Sequence, residues 1–339
     1  MTSQQPPMPS DIEAAVTVTY RSAGLGLWGT LIRGTGMPLE KIALTANSSQ
    51  VSGGSQFAQA FKITFKEGWT APFRVVTSRS VVAWMLQYSI MGFTFQIADR
   101  TLSKLLNVDQ FEVAKLKSTK DDTTTQHNNT HELYETRERD LAYNVKFASK
   151  MVLAPLMATS FESLVSNKAE GIRFYGPQKF TQIEASKLIN KNVLQKMAGP
   201  AYSANVGRNF LMCSSAFVVT PYLFGKLPED AKTSTNLFWF GLCGNWTANI
   251  AAVQMQSLWG RSLDFMAVDG GRPIKYSAVI RDGLKKDGYS AFFTPTKYFS
   301  RVLMNCPAQG TIPWFYNSIL PMGEPSVKGV AASMYNKIF

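Results

Sequence analysis

Residues that could do chemistry are few in this sequence, and several lie in apolar surroundings. Arg79, Arg208 and Arg301 stand within or beside long apolar stretches. Charges in such stretches are costly and are usually kept for a function, so the three arginines could bind an anion. The alternative is that they extend to a lipid headgroup region or pair with carbonyls at helix ends. No nucleophile–base pair and no phosphate-binding loop is present, so the sequence does not predict an enzyme.

Candidate metal ligands are equally sparse. The two histidines, His127 and His131, share a polar stretch with Glu132. On a helix this spacing could provide two ligands, but the Asn-Asn-Thr between the histidines is not typical of a helix, so a solvated loop is expected. The three cysteines are far apart and show no Cys-x-x-Cys spacing. The sequence therefore predicts no metal site.

The composition indicates contact with lipid. Charged residues make up 17% of the 339 residues, whereas soluble domains carry roughly 25%. The mean hydropathy of −0.07 argues against uniformly apolar helices. It favours amphipathic spans around a polar interior. The net charge of +12 fits an anionic membrane surface better than nucleic acid, because no run of basic residues is interleaved with aromatic residues.

Six stretches are long enough to cross a bilayer, which needs about 20 mostly apolar residues. They cover approximately residues 17–46, 75–106, 142–166, 204–226, 236–259 and 298–320. Amphipathic stretches follow the odd-numbered ones, at 57–68, 180–197 and 276–288. The order span, surface helix, span thus occurs three times. We expect an all-α membrane protein with six transmembrane helices in three pseudo-symmetric repeats, and with short amphipathic helices on one face.

This pattern divides the chain into repeats and connections. They are an N-terminal tail (1–16), a first repeat (17–106), a polar insertion (107–141), a second repeat (142–226), a third repeat (227–320) and a C-terminal tail (321–339). The insertion is rich in Thr, Asn and charged residues, so we expect it to be exposed to solvent.

Short motifs recur at matching places in the repeats. The first repeat contains Gly24, Gly26 and Gly29, then Pro38-Leu39-Glu40, Glu67-Gly68 and Phe73-Arg74, and the third contains Asp287-Gly288. In layout and in these motifs, residues 17–320 resemble the mitochondrial carrier family. In that family each odd span ends in Pro-x-Asp/Glu-x-x-Lys/Arg and is followed by a helix on the matrix side. The resemblance implies three carrier repeats in a multi-pass protein of the inner mitochondrial membrane, with its amphipathic helices on the matrix side.

The charged positions of the family motif are degenerate here. The positions of the proline, the acid and the cation correspond to Pro38, Glu40 and Ala43; to Ser160, Glu162 and Val165; and to Thr247, Asn249 and Ala252. In the third repeat a second register, Val253-Gln254-Met255 with Leu258, is also open. Carriers close their matrix side with a ring of ion pairs between these acids and cations. Two acids without cations predict no such ring.

The opposite end of the bundle departs from the family in a similar way. The family's acid positions hold Gln96 or Ile97, Leu223 and Asn317, which leaves no acid to pair with Lys226 or Arg100. The family's central substrate positions fall on mostly apolar residues: Ala83 or Trp84, Phe210-Leu211 and the neighbourhood of Asn305. Arg79, Arg208 and Arg301 would then be a residual anion site.

Two functions are compatible with the resemblance. The first is a carrier-fold accessory or structural subunit of an inner-membrane complex, such as a respiratory complex, without transport activity. Its partners would be the subunits of that complex and phospholipid, including cardiolipin bound near Arg74, and no nucleic acid. No cofactor other than such a lipid is expected. The second is a divergent mitochondrial carrier for a neutral or amphipathic substrate, which closes by apolar and polar contacts.

Overall fold

The regular structure of this protein is helical. The computed structural model describes residues 9–46, 56–111, 141–175, 198–268 and 275–338, and no strand occurs within these ranges. The all-α class is therefore confirmed. The amphipathic helix expected at 180–197 lies outside the described residues, as does most of the polar insertion, including His127 and His131.

Twelve α-helices occur in the described ranges. They are α1 (Ser10–Thr35), α2 (Met37–Ala46), α3 (Gln56–Thr64), α4 (Ser78–Leu106), α5 (Leu141–Tyr175), α6 (Tyr202–Ser214), α7 (Thr220–Gly225), α8 (Ser234–Val268), α9 (Tyr276–Asp287), α10 (Pro295–Asn305), α11 (Ile312–Trp314) and α12 (Leu320–Ile338). Single π-helical turns, Ser215–Val219, Cys306–Gly310 and Phe315–Ile319, join α6 to α7, α10 to α11 and α11 to α12.

These helices form six long segments that close into a ring. We number them segment 1 (10–46, broken at Gly36), segment 2 (α4), segment 3 (α5), segment 4 (202–225), segment 5 (α8) and segment 6 (295–338). Each segment packs against the next one along the chain, and segment 6 packs against segment 1. Judged by length and hydropathy alone, α4 is the one described helix that qualifies as a candidate membrane span, and core helices of soluble proteins can also meet that test.

The segments are longer than the expected spans. Helix α1 begins at Ser10 rather than near residue 17, and α5 continues to Tyr175. Segment 6 continues as α12 to Ile338, well beyond residue 320. Most of the expected C-terminal tail is therefore a helical extension of segment 6.

The connections that lead into segments 2 and 6 are built alike. Gly68 and Gly288 follow an acidic residue and have positive φ angles of 101° and 61°, which glycine adopts without strain. Further along, the hydroxyl oxygens of Thr77 and Thr294 each accept a hydrogen bond of 3.2 Å from the backbone N–H three residues later. Such a side chain caps the start of a helix. The first and third repeats thus share their local structure as well as their motifs.

Helix α5 distributes its side chains in the reverse of the usual order for a soluble protein. Its exposed face carries large apolar residues: Val145, Val152, Leu153, Leu156, Met157, Phe161 and Val165. Its buried face carries charged and polar residues: Lys150, Glu162, Ser163, Ser166, Asn167 and Glu170. In water-soluble proteins charged residues are mostly exposed and are almost never fully buried unless they are paired. An outer surface of this kind is suited to an apolar surrounding.

Segments 1 and 2 approach each other closely at a glycine. A Cβ atom on Gly26 would lie 2.8 Å from the carbonyl oxygen of Met85 and even closer to the hydroxyl of Ser89. Because the carbonyl belongs to the backbone of α4, it cannot move aside as a flexible side chain could. Gly34, further along the same helix, has open space around the corresponding position.

We predict opposite effects for the same substitution at these two glycines. Gly26→Ala should lower the free energy of unfolding by about 1–3 kcal/mol, because the added methyl group overpacks the contact with α4. Gly34→Ala should raise it by about 0.5–1 kcal/mol, because alanine is the better helix former. Thermal unfolding of the purified variants in detergent measures both. Equal unfolding midpoints for the two variants would show that segments 1 and 2 do not pack so closely at Gly26.

Candidate functional site

The interior of the bundle contains a continuous set of buried polar contacts, which we name the first polar layer. It consists of Arg33, Glu40, Gln87, Glu162, Glu170, Arg208, Asn209, Gln256 and Arg301. These residues come from all six long segments.

Segments 1, 2 and 3 are joined in this layer through Gln87. In segment 1, Arg33 Nε lies 3.6 Å from Glu40 Oε2 across the break at Gly36. Arg33 Nη1 donates to Gln87 Oε1 at 3.2 Å, and Gln87 Nε2 donates to Glu162 Oε1 at 2.6 Å. The amide therefore connects a cation of segment 1 to a carboxylate of segment 3.

Segments 3 to 6 are joined through Arg208. Its guanidinium forms an ion pair with Glu170 of segment 3. Its Nη1 also donates to Gln256 Oε1 of segment 5 at 2.7 Å, and Arg301 Nη1 of segment 6 donates to the same oxygen at 3.2 Å. Asn209, beside Arg208, donates to Glu162. All four charged side chains among these residues are at least nine-tenths buried. The ion pair offsets much of the cost of burying Glu170 and Arg208. Amide hydrogen bonds offset part of the cost for Glu162 and Arg301.

The sequence predicted no ring of ion pairs between the motif acids and the motif cation positions. The structure adds ion pairs at this end that use other cations, Arg33 and Arg208. Both motif acids, Glu40 and Glu162, belong to the first polar layer, but the cations come from outside the motif. Arg33 precedes Glu40 by two helical turns, and Arg208 and Arg301 lie in the first halves of segments 4 and 6. Each of these two arginines stands seven residues after its helix N-cap, a place that Trp84 occupies in segment 2.

The predicted anion-site arginines are not all brought together. Arg208 and Arg301 meet at Gln256, whereas Arg79 is exposed at the start of α4 and lies outside the layer. Arg208 and Arg301 therefore contact protein groups in the bundle interior rather than extending outward as the alternative interpretation proposed.

The remaining motif positions fall in varied surroundings. Ala43, Asn249 and Ala252 are fully buried, whereas Val165 and Thr247 are exposed and Pro38 and Ser160 are half-buried. Asn249 donates to the backbone carbonyl of Asn245, one turn earlier on α8. At the acid and cation positions of the motif, Asn249 and Ala252 are both buried, as Glu40 and Ala43 are in the first repeat. This similarity favours the register that begins at Thr247.

A second polar layer lies at the other end of the bundle, where segment 1 begins and segment 6 ends. Lys150 Nζ of segment 3 lies 2.7 Å from Asp99 Oδ1 of segment 2. Arg21 of segment 1 forms an ion pair with Glu324 of segment 6. The sequence left no acid at the family's positions to pair with Lys226 or Arg100. The ammonium of Lys226 lies over the ring of Tyr222 at 4.5 Å. The acids that do pair at this end, Asp99 and Glu324, lie outside the family's positions and bond to other cations.

An apolar core separates the two layers. Along α4, Gln87 of the first layer and Asp99 of the second are twelve residues apart, and Glu162 and Lys150 of α5 have the same separation. Twelve helical residues extend about 18 Å. Between them lies one cluster of buried apolar side chains, which includes Leu25, Tyr88, Met91, Phe95, Ala154, Ala158, Cys213, Phe217 and Ile312. The interior is therefore polar, apolar and polar in turn.

The described residues contain no group of three side chains suited to hold a metal ion. Most of the buried charges form ion pairs, and Glu162 and Arg301 bond to side-chain amides. These contacts connect one helix to another. The arrangement is thus suited to fixing the positions of the segments.

We predict that Arg208→Gln lowers the free energy of unfolding by about 3–5 kcal/mol, because Glu170 would remain buried without its counter-charge. The matched control is Arg74→Gln, which removes a pair of 3.0 Å with Glu67 in which both side chains are exposed. That change should cost about 0–1 kcal/mol. The double variant Arg208→Gln, Glu170→Gln should recover part of the loss. Thermal unfolding of Arg208→Gln at the wild-type midpoint would contradict the role of the pair.

Comparison of the chain with protein-family models, with curated proteins and with solved structures found no match.

Proposed function

We propose that the six segments cross a membrane, namely the inner mitochondrial membrane. The reversed side-chain distribution of α5 supports this proposal, because lipid is the surrounding in which an apolar exterior and a charged interior are stable. Exposed aromatic residues also lie near both ends of the bundle, with Trp69 and Tyr289 at one end and Trp239 at the other. Tryptophan and tyrosine are enriched at both membrane–water interfaces.

We further propose that the protein is a structural or accessory subunit of an inner-membrane complex, such as a respiratory complex, and that it does not transport a solute. The observation that carries this proposal is that ion pairs are formed within both polar layers in the same conformation. A transporter alternates between two conformations, each closed at one end and open at the other. Here ion pairs join different segments at both ends, and an apolar core fills the space between them.

The second candidate, a divergent carrier for a neutral or amphipathic substrate, is favoured by a different observation. Arg208 and Arg301, two buried cations, share a single amide oxygen of Gln256. Charges buried in a membrane usually mark a substrate or ion pathway. Their contacts with Glu170 and Gln256 also fit a structural role, which needs no opening of the core.

Partner binding is proposed for the C-terminal helix. Helix α12 continues beyond the expected end of the sixth span, and Met322, Val330 and Met334 on it are 75%, 57% and 61% exposed. These apolar side chains would be covered by other subunits of the complex. Phospholipid, including cardiolipin, is proposed to bind near Arg74, whose guanidinium is exposed.

The decisive experiment has two arms. Affinity purification of the tagged protein from mitochondria in mild detergent should yield stoichiometric subunits of one complex, with cardiolipin in the lipid extract. The purified protein in liposomes should exchange no nucleotide, phosphate or dicarboxylate above protein-free liposomes, because no path crosses the apolar core. Saturable exchange that is lost in Arg208→Gln or Arg301→Gln would identify a working carrier instead.

The orientation in the membrane gives a separate prediction. Six spans place both termini and the insertion 107–141 on one side, which we assign to the intermembrane space. The amphipathic helices α3 and α9, with Lys62, Lys285 and Lys286, would then meet anionic lipid on the matrix side. Protease added to mitoplasts should cut within the insertion. Cleavage there only after the inner membrane is opened would reverse the assignment.

A further inference from the structure

A cavity of about 390 Å³ opens at the end of the bundle that holds the second polar layer. Its walls come from segments 1, 2, 4 and 6 and from the residues that follow α4. This volume lies within the range of small-molecule sites. The cavity is separate from the first polar layer, because the apolar core lies between them.

The acids that line the cavity are already paired. Glu13 Oε1 lies 2.8 Å from Lys328 Nζ, and Glu324 pairs with Arg21. Asp99 pairs with Lys150 at 2.7 Å and also accepts a hydrogen bond of 3.1 Å from the backbone N–H of Phe111. The negative charges of the walls are therefore matched by cations of the protein.

Arg100 also lines the cavity, and it is the cation that remains after this matching. It has neither an ion-pair nor a hydrogen-bond partner within the described ranges. Being half-buried, its guanidinium is only partly hydrated, so an anion that enters the cavity would gain a charge-assisted contact. A guanidinium matches the two oxygens of a carboxylate, and one unmatched cation calls for one negative charge.

The side of the cavity next to the apolar core is aromatic. The rings of Phe95 and Phe217 stack with centroids 4.7 Å apart. The rings of Phe217 and Tyr316 are nearly perpendicular, with centroids 5.6 Å apart. All three side chains line the cavity. Phe95 also stacks on Phe111 at 5.9 Å, and the guanidinium of Arg21 lies over the ring of Tyr316 at 5.0 Å. The apolar body of a ligand would therefore contact mainly the edges of these rings.

We propose that this cavity binds a small organic carboxylate with a flat apolar body, held by Arg100 at one end and by Phe95, Phe217 and Tyr316 at the other. The site does not depend on the proposed structural role, because it requires neither a partner subunit nor the absence of transport. The apolar core closes the inner end of the cavity, so the ligand would enter and leave through the opening at the end of the bundle.

Benzoate and its neutral analogue benzamide are the probes, because they share the ring and differ in charge. In titration calorimetry of the purified full-length protein in detergent, benzoate should bind with one site per chain. Benzamide should bind at least about tenfold more weakly than benzoate, which is the loss in affinity expected for one charged hydrogen bond. Equal affinities of the two probes in the unmodified protein would overturn the proposal, whether or not any variant folds.

The variant arm uses two arginines of the same helix. Arg100→Gln should weaken benzoate binding by about tenfold or more and leave benzamide binding unchanged. Arg79→Gln, at the opposite end of α4, should leave both affinities unchanged. Benzoate affinity that is unchanged in Arg100→Gln, or lowered equally in Arg79→Gln, would show that the unmatched charge of Arg100 does not form the site.

Discussion

The structure depends on the pairing of charges that are buried inside a bundle with an apolar exterior. An unpaired ion in such an interior costs several kcal/mol, and a partner with good geometry offsets most of that cost. Glu170 with Arg208, and Asp99 with Lys150, each join two neighbouring segments through residues that are 38 and 51 positions apart in sequence. Each pair therefore fixes the distance and the rotation of its two helices. In the proposed membrane setting the apolar contacts of the outer faces cannot do this, because lipid tails contact such side chains equally well.

Close helix packing makes these pairs possible. At Gly26 the backbones of segments 1 and 2 approach so closely that no side chain fits, and two turns further along Arg33 meets Gln87. The break at Gly36 then lets α2 turn so that Glu40 comes back towards Arg33. Glycine positions and charge positions are thus parts of one arrangement, and a change at either would alter the first polar layer.

The sequence was sufficient to locate the long helices and their order, because apolar stretches and the acidic–glycine step are local signals. Arg208 and Arg301 could also be recognised as charges in apolar stretches. The partners of these charges could not be predicted. A family template places each cation three residues after its acid, whereas Glu40 pairs with a residue seven positions earlier and Glu170 pairs with Arg208 of the next segment. Such pairing is decided by the rotation of whole helices, which no local pattern records.

The order of the interior, polar then apolar then polar, also limits what the protein can do with a bound molecule. The cavity reaches Phe95, which is eight helical residues, or about 12 Å, from Gln87 of the first polar layer. An anion held by Arg100 would face packed side chains over that distance. To pass, it would have to separate Phe95 from Phe217 and leave its counter-charge at the same moment. The cluster around these rings is apolar, and the polar side chains beside it, Gln96 and Ser22, already bond to each other at 3.1 Å. Neither step therefore gains a strong new contact. A ligand that binds both states of the bundle equally cannot drive such a change. Ligand binding in the cavity is therefore compatible with a closed centre of the bundle. A molecule bound in the cavity would add one more contact between segments 1, 2, 4 and 6 and would not start a transport cycle.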